Sequence, residues 1–396
     1  MLNNKEYSPF TPGSPAPLDL FVGRSNQIQE VVRYIKQTLS GRQENFFLSG
    51  DRGIGKSSFA AFIRTLIANQ QDILGIHVFL GQVSTLEGLV SHIFDELLKE
   101  TRQQKWFNNI AHFFGKYIQE VGLFGVSVSF SPPKDDLSKL VASFPIALHN
   151  LVKKIADEKK GLFIALDDIN GLADKANFAN WYKSFVDHVA THYKNFPVSI
   201  MLIGVPERRD HLATLQPSLM RIFRVVEIEK LSDHEVESFI INAFKNADMK
   251  LNQEAIKLIV KYSSGFPILM QEIGDAIFWL DTDGVVDKHD AMEGILIAAE
   301  RIGRKYLDPK VYRAIRSENY RSILRKLAKT PLSRNFSRAD VESKLNENEQ
   351  KVFHNFLKRL RDLGIIESNL EQGRGSYRFV NEIYPIYMRI ESERVK

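Results

Sequence analysis

The sequence predicts an α/β fold with a mostly parallel sheet, and three observations carry that expectation. Helical and strand patterns alternate through the first 230 residues, as they do when crossover helices join parallel strands. One strand-like run leads into a glycine-rich turn and an amphipathic helix, GDRGIGKSSFAAF at 50–62. Another apolar run, LFIALDD at 162–168, ends in two adjacent carboxylates. That is the pattern of a buried parallel strand whose tip opens on a crevice.

The elements follow in order. Residues 25–39 read as a helix with Ile28, Val31, Val32, Ile35 and Leu39 on one face. NFFLS (45–49) reads as a strand. Beyond the turn, Phe59, Phe62, Ile63, Leu66 and Ile67 occupy positions i, i+3, i+4, i+7 and i+8 of a helix that buries them all. Further strands are expected at 76–80, 162–166, 198–203 and 225–228. Residues 101–135 break the rhythm. Trp106, Phe107, Ile110, Phe113, Phe114, Tyr117, Ile118 and Val121 give a helical stripe, and Phe124, Val126, Val128 and Phe130 then alternate as in a strand. The pair reads as an insert in the core domain, packed on its body or offered to a partner or a second copy. Residues 1–19 form a Pro-rich lead-in, 20–230 the core domain, 231–306 a helical segment and 307–396 a separate C-terminal domain.

A chain of 396 residues suggests two or three domains. With no cysteine, disulfide and thiolate chemistry are excluded. No apolar run approaches the roughly 20 residues of a membrane span, and the first residues carry no apolar signal core. The expectation is a cytoplasmic location without membrane contact. The net charge of +5 is uneven: residues 301–396 carry 22 Lys and Arg against 12 Asp and Glu, so the C-terminal part is suited to an acidic partner. No HExxH or GxSxG pattern points to other hydrolytic chemistry.

Gly50-x-x-x-x-Gly55-Lys56-Ser57 is a complete Walker A pattern. In such a loop successive backbone N–H groups face the phosphates, glycines permit that backbone, and the following helix aims its positive end at the same anion. Gly50, Asp51, Arg52, Gly53, Ile54, Gly55, Lys56, Ser57 and Ser58 are therefore the expected nucleotide-binding run. Lys56 would reach the outer phosphates of ATP, and the Ser57 hydroxyl would ligate Mg²⁺. Asp167, on a neighbouring strand tip, would hold the Mg²⁺ through water, and Asp168 would orient or deprotonate the attacking water.

With LFVGR at 20–24, GDRGIGKSS, ALDD and SSGFP at 263–267, the chain resembles AAA+ and STAND P-loop ATPases, in the branch of origin-recognition-like and archaeal ATPases. The resemblance covers roughly residues 8–300. It implies that Val22, Gly23 and Arg24 lie near the adenine and that Gly265 and Pro267 belong to a helical lid whose proline packs near the nucleotide. It also implies that an arginine before the last core strand, Arg221 or else Arg224, serves a neighbouring copy's γ-phosphate in a homo-oligomer. Three departures from the motor pattern stand out: Asp168 in place of Glu, Ile203 and Gly204 where a polar sensor stands, and GxP in place of a lid arginine. All three point to a slow switch.

Residues 320–380 read as a winged helix-turn-helix. Helix one spans 320–329, a short second helix is capped by Ser337, and a third spans 350–364 with Val352, Phe353, Phe356, Leu357 and Leu360 inward. Wing strands lie on either side of the EQGRGS turn. Lys351, Lys358, Arg359, Arg361 and Arg374 decorate helix three and the wing tip. Double-stranded DNA is one partner such a surface takes, and autoinhibition or an unknown protein partner is the other. The sequence thus favours an ATPase that hydrolyses ATP slowly as a conformational switch. A DNA-loading oligomeric ATPase and a non-hydrolysing ATP-binding regulator are the alternatives.

Overall fold

A five-stranded parallel sheet organises residues 24–229. Its strands are β1 (Glu44–Ser49), β2 (Ile73–Phe79) and, after a hairpin of β3 (Ile118–Val121) and β4 (Ser127–Phe130), β5 (Gly161–Asp167), β6 (Val198–Gly204) and β7 (Phe223–Glu227). Their order in space is β2-β5-β6-β1-β7, with every pair parallel. Every residue of β1, β5 and β6 is buried, which fits the apolar runs at their centres, 46–48, 162–166 and 200–203. The connecting helices are α1 (Ser25–Thr38), α2 (Lys56–Gln71), α3 (Leu86–Thr101), α4 (Phe107–Phe114), α5 (Lys134–Ala142), α6 (Phe144–Ile155), α7 (Asn170–Ala173), α8 (Ala176–His192) and α9 (Pro206–Leu215). This computed structural model describes residues 5–121 and 127–394. The chain divides into two units, Arg24–Glu229 and Met1–Gly23 with Lys230–Lys396.

Three local expectations are corrected. The first helix ends at Thr38, whose buried hydroxyl donates to the Ile35 carbonyl at 2.6 Å, so Leu39 is exposed rather than on the inner face. Phe62 and Leu66 of α2 are only half-buried, and Ala60 is buried instead. The aromatic stripe at 106–121 is not one helix. Gly115 takes φ 52° after Phe114, a conformation that stops a helix, and Ile118–Val121 pairs with β4 as a strand. Phe124 and Val126 lie outside the described residues. Trp106, Ile110, Phe114 and Phe130 are all buried. Phe94 of α3 meets Phe114, Phe130 and Phe144 at centroid distances of 5.1, 5.5 and 5.9 Å, so the insert packs on the body of its own unit.

The second unit contains α10 (Asp233–Asn246), α11 (Gln253–Ser263), α12 (Pro267–Leu280) and α13 (Lys288–Ile302), with short parallel strands β8 (Lys250–Leu251) and β9 (Val285–Val286). Helix α10 begins on a capping box of Ser232 with Glu235, and α13 on one of Asp287 with Asp290. Helix α13 continues into a π-helical turn, Gly303–Tyr312. There follow α14 (Glu318–Ala328), β10 (Asn335–Ser337), α15 (Arg338–Glu342), α16 (Glu347–Asp362), β11 (Ile366–Ser368), β12 (Ser376–Phe379) and α17 (Ile383–Arg394). The three strands form an antiparallel sheet, β10-β12-β11. Helix α17 has no counterpart in the sequence reading. Its buried Tyr387 lies where a Cβ on Gly303 would collide with the ring, and its hydroxyl donates to Asp308 Oδ1 at 2.5 Å.

The Pro-rich lead-in is held on this unit. Phe10 is 3% exposed and meets Phe244 and Phe239 edge-on at 5.0 and 6.0 Å, while its ring fills the space that a Cβ on Gly274 of α12 would need. Thr11 N donates to Gln271 Oε1 at 2.8 Å. Lys5 donates to the Phe278 and Asp281 carbonyls at the end of α12, a favourable place for a cation. Phe10→Ala is expected to cost about 3 kcal/mol, read as a lower urea midpoint at unchanged slope.

Candidate phosphate-binding site

β1 sits between β6 and β7 and delivers its buried C-terminal end to the loop at 50–55. Gly53 and Gly55 adopt φ 75° and 89°, where only glycine is free of a Cβ penalty. At Gly50 a Cβ would stand 2.6 Å from the Ile228 carbonyl, so the backbone must pass close there. Ile54, 1% exposed, anchors the loop inward. Helix α2 begins at Lys56 with no acidic residue in its first turn, leaving its positive end uncompensated. Ser57 and Ser58 are half-buried in that turn, and Asp51 and Arg52 are exposed.

Lys56 folds back over the loop, its Nζ donating to the Gly50 and Asp51 carbonyls at 2.7 Å each. Burial pushes its pKa below the ordinary 10.5, against the opposing charges of Asp167, Asp51 and Asp168. The structure therefore brings the loop lysine and both strand-tip carboxylates into one electrostatic neighbourhood. The strand that carries the carboxylates is not adjacent to β1: β6 lies between β1 and β5, which corrects the expected direct neighbour.

Asp167 is the last residue of β5 and is 5% exposed. Its Oδ2 lies 2.9 Å from His77 Nε2. His77 comes from β2, where Phe79 is the register partner of Asp167, so period-two alternation puts His77 and Asp167 on one face. The imidazole stacks on the half-exposed Phe79, centroids 4.4 Å apart. Sequence reasoning missed this histidine, and its one signal was a polar ring inside IHVFL. Asp168 is exposed and left-handed, φ 59°, a conformation aspartate tolerates. Its Oδ1 accepts from the Asn170 amide.

The remaining site residues fall as follows. At the tip of β6 stand Ile203 and Gly204, directly before α9. Arg224 is engaged locally, its Nε donating to Glu44 Oε2 at 2.6 Å and its guanidinium lying 3.5 Å over the Tyr34 ring. Arg221 closes a short 3₁₀ turn, exposed. Arg24 is buried, and its guanidinium donates to the Ile54 and Gly55 carbonyls. Val22, Gly23 and Pro267 belong to the other unit. There Ser264 and Gly265 take φ 52° and 73° to end α11, and Pro267 is the first residue of α12, a position that needs no N–H.

Comparison with known proteins bears on the fold. Residues 20–189 match the family described as AAA ATPase domain. That stretch holds the phosphate loop and both strand-tip carboxylates. Among solved structures, the Walker-type ATPase of Pyrococcus abyssi aligns over 93% of this chain and 96% of its own, with 18% identity and a TM-score of 0.55. The Aeropyrum pernix ORC2 protein, in ADPNP–ADP complexes, aligns over 99% and 96%, with 13% identity and a TM-score of 0.59. These are likenesses of fold, and they match the α/β architecture with its five-stranded parallel sheet. An uncharacterized HTH-type transcriptional regulator of Methanocaldococcus jannaschii is 22% identical over 282 residues; the match spans 66% of this chain and 64% of that relative.

The loop at 50–55 fits a nucleotide polyphosphate by its donors: backbone amides freed by glycine, a helix N-terminus and a desolvated ammonium. Among the described residues no cluster of three or more His, Asp or Glu could hold a metal alone. Mg²⁺ takes one or two protein oxygens with the remainder from phosphates and water. Ser57 and Asp167 are the residues that would supply them. No described helix is long and apolar enough to cross a membrane.

Proposed function

We propose that the chain binds ATP with Mg²⁺ at residues 50–58 and hydrolyses it slowly, as a cytoplasmic conformational switch coupled to DNA or to a protein partner through its C-terminal residues. Bound Mg²⁺ would neutralise phosphate charge as the terminal phosphoryl group departs. Lys56 binds the outer phosphates, Ser57 and Asp167 would hold the metal, and Asp168 orients the attacking water. Asp168 carries the argument for slowness. Its carboxylate is one methylene shorter than glutamate, projects from a left-handed backbone and is held by Asn170. Misplacement of about 1 Å costs on the order of a hundredfold. Against a typical enzyme turnover of about 10 s⁻¹, steady-state hydrolysis at about 0.1 s⁻¹ or below is the expected result. Turnover tens of times faster would exclude the switch.

The oligomeric, DNA-remodelling alternative draws on Arg221, exposed and without a side-chain partner among the described residues. It predicts hydrolysis that rises with protein concentration or with duplex DNA and falls in Arg221→Ala.

For the C-terminal residues we propose a winged helix, formed by α14, α15 and α16 with the β10-β12-β11 sheet. Lys351, Lys358, Arg359 and Arg361 on α16 and Arg374 at the β11–β12 turn are all exposed, and none has an acidic partner among the described residues. If all five meet phosphates, log K for duplex DNA falls with log salt at a slope of about −4.5. Lys358→Ala lowers that slope by about one. An interaction insensitive to salt, or none with any duplex, would leave a protein partner as the reading. The regulator named among the relatives is consistent with DNA contact, and that alternative predicts ATP binding without turnover.

A further inference from the structure

Arg24 follows the unit boundary at Gly23 and caps α1 from a left-handed backbone, φ 63°. Its buried guanidinium donates to two consecutive carbonyls, Nη2 to Ile54 and Nη1 to Gly55, the latter at 3.2 Å. Those carbonyls end the phosphate loop. In a planar trans peptide the C=O and the following N–H point in opposite directions. Holding the Ile54 carbonyl therefore sets the direction of the Gly55 N–H, and holding the Gly55 carbonyl sets that of Lys56. The Gly55 carbonyl also accepts from Phe59 N at 3.0 Å, so loop and helix share one acceptor. With Gly53 and Gly55 both at positive φ, this is the stretch with the most backbone freedom to lose.

We propose that Arg24 is a positioning residue for anion binding: it holds the Ile54 and Gly55 carbonyls outward so that the amides of Gly55 and Lys56 face bound phosphates. It acts on the polyphosphate chain, not on the base that its motif suggests. The inference rests on residues 50–57 binding phosphate.

The test uses the full chain and a ligand without a base. Arg24→Ala and Arg24→Lys are titrated with ATP and with inorganic tripolyphosphate, by competition against a fluorescent nucleotide. For Arg24→Ala, affinity for both ligands falls by the same factor, on the order of tenfold or more. Lysine, which lacks the two-pronged fork, restores part of the loss. Amide exchange at residues 53–57 of the ligand-free alanine variant is faster, while exchange in the other strands of the sheet is unchanged. Weakened ATP with unchanged tripolyphosphate would assign Arg24 to the base and overturn the proposal, as would unchanged affinity for both. Should Arg24→Ala not fold, the same comparison on Arg24→Lys decides. If wild type and Lys56→Ala bind tripolyphosphate equally, the phosphate-loop reading itself fails, and this inference with it.

Discussion

Lys56→Ala lowers ATP affinity by about a thousandfold, measured by calorimetry at pH 7, while the unfolding midpoint changes little. The ammonium is largely desolvated, and its hydrogen bonds run to the carbonyls of the loop itself, Gly50 and Asp51. A phosphate oxygen offers that cation a stronger, charge-assisted partner. Truncation removes it and leaves bound phosphate facing Asp51, Asp167 and Asp168 with one cation fewer. Losing one partner of a buried charge pair costs roughly 2–5 kcal/mol, and a thousandfold corresponds to about 4 kcal/mol. The fold has little at stake, because Lys56 makes no bond outside the loop among the described residues. The pH dependence has a definite sign. Burial depresses the free ammonium's pKa from 10.5, and a bound polyanion raises it again, so ATP binding takes up a proton as pH rises into that window. Affinity is therefore full below the depressed pKa and declines as pH rises through it, beginning short of 10.5; Lys56→Ala shows no such decline. Unchanged ATP affinity in Lys56→Ala would remove the site assignment.

What the sequence disclosed, and what it hid, follows from the range of the interactions. Gly50, Gly55 and Lys56 were legible because strand, turn and helix N-terminus are consecutive, and glycine at positive φ leaves a local mark. Asp167 was legible for the same reason, at the end of an apolar strand. Its partner His77 was not, because ninety residues separate the pair and only sheet order makes them neighbours. Phe10 was hidden likewise: a Pro-rich start carries no periodicity, yet Gly274 leaves its ring a place on α12. The stripe at 106–121 misled for a different reason. Aromatic residues at helical spacing continue past Phe114, but Gly115 at φ 52° ends the helix, and pairing with β4 outweighs the remaining pattern. For Arg24, the motif pointed to the nucleotide, while the direction of its side chain was set by folding.

Asp167→Asn separates the chemical duty of this residue from its structural one. Asparagine keeps the shape and can still bond to His77, but it loses the charge. ATP hydrolysis is expected to fall by at least a hundredfold in single-turnover assays, with ATP affinity within a few-fold of wild type, because the loop amides and Lys56 remain. The barrier rises by about 3 kcal/mol or more, the scale of losing one well-placed electrostatic group. Asp167→Ala loses turnover equally and loses stability as well. His77 is 6% exposed and shares its bond with Asp167 Oδ2, so alanine leaves a buried imidazole nitrogen without a partner, at a cost of about 1–3 kcal/mol. His77→Ala should mirror this, lowering the unfolding midpoint while retaining measurable turnover, because Asp167 keeps its charge but loses the contact that orients it. The asparagine and alanine variants therefore agree in rate and differ in denaturation midpoint. Wild-type turnover in Asp167→Asn would move the acidic role to Asp168. Equal stability of the two variants would mean that the His77 bond contributes nothing to the fold.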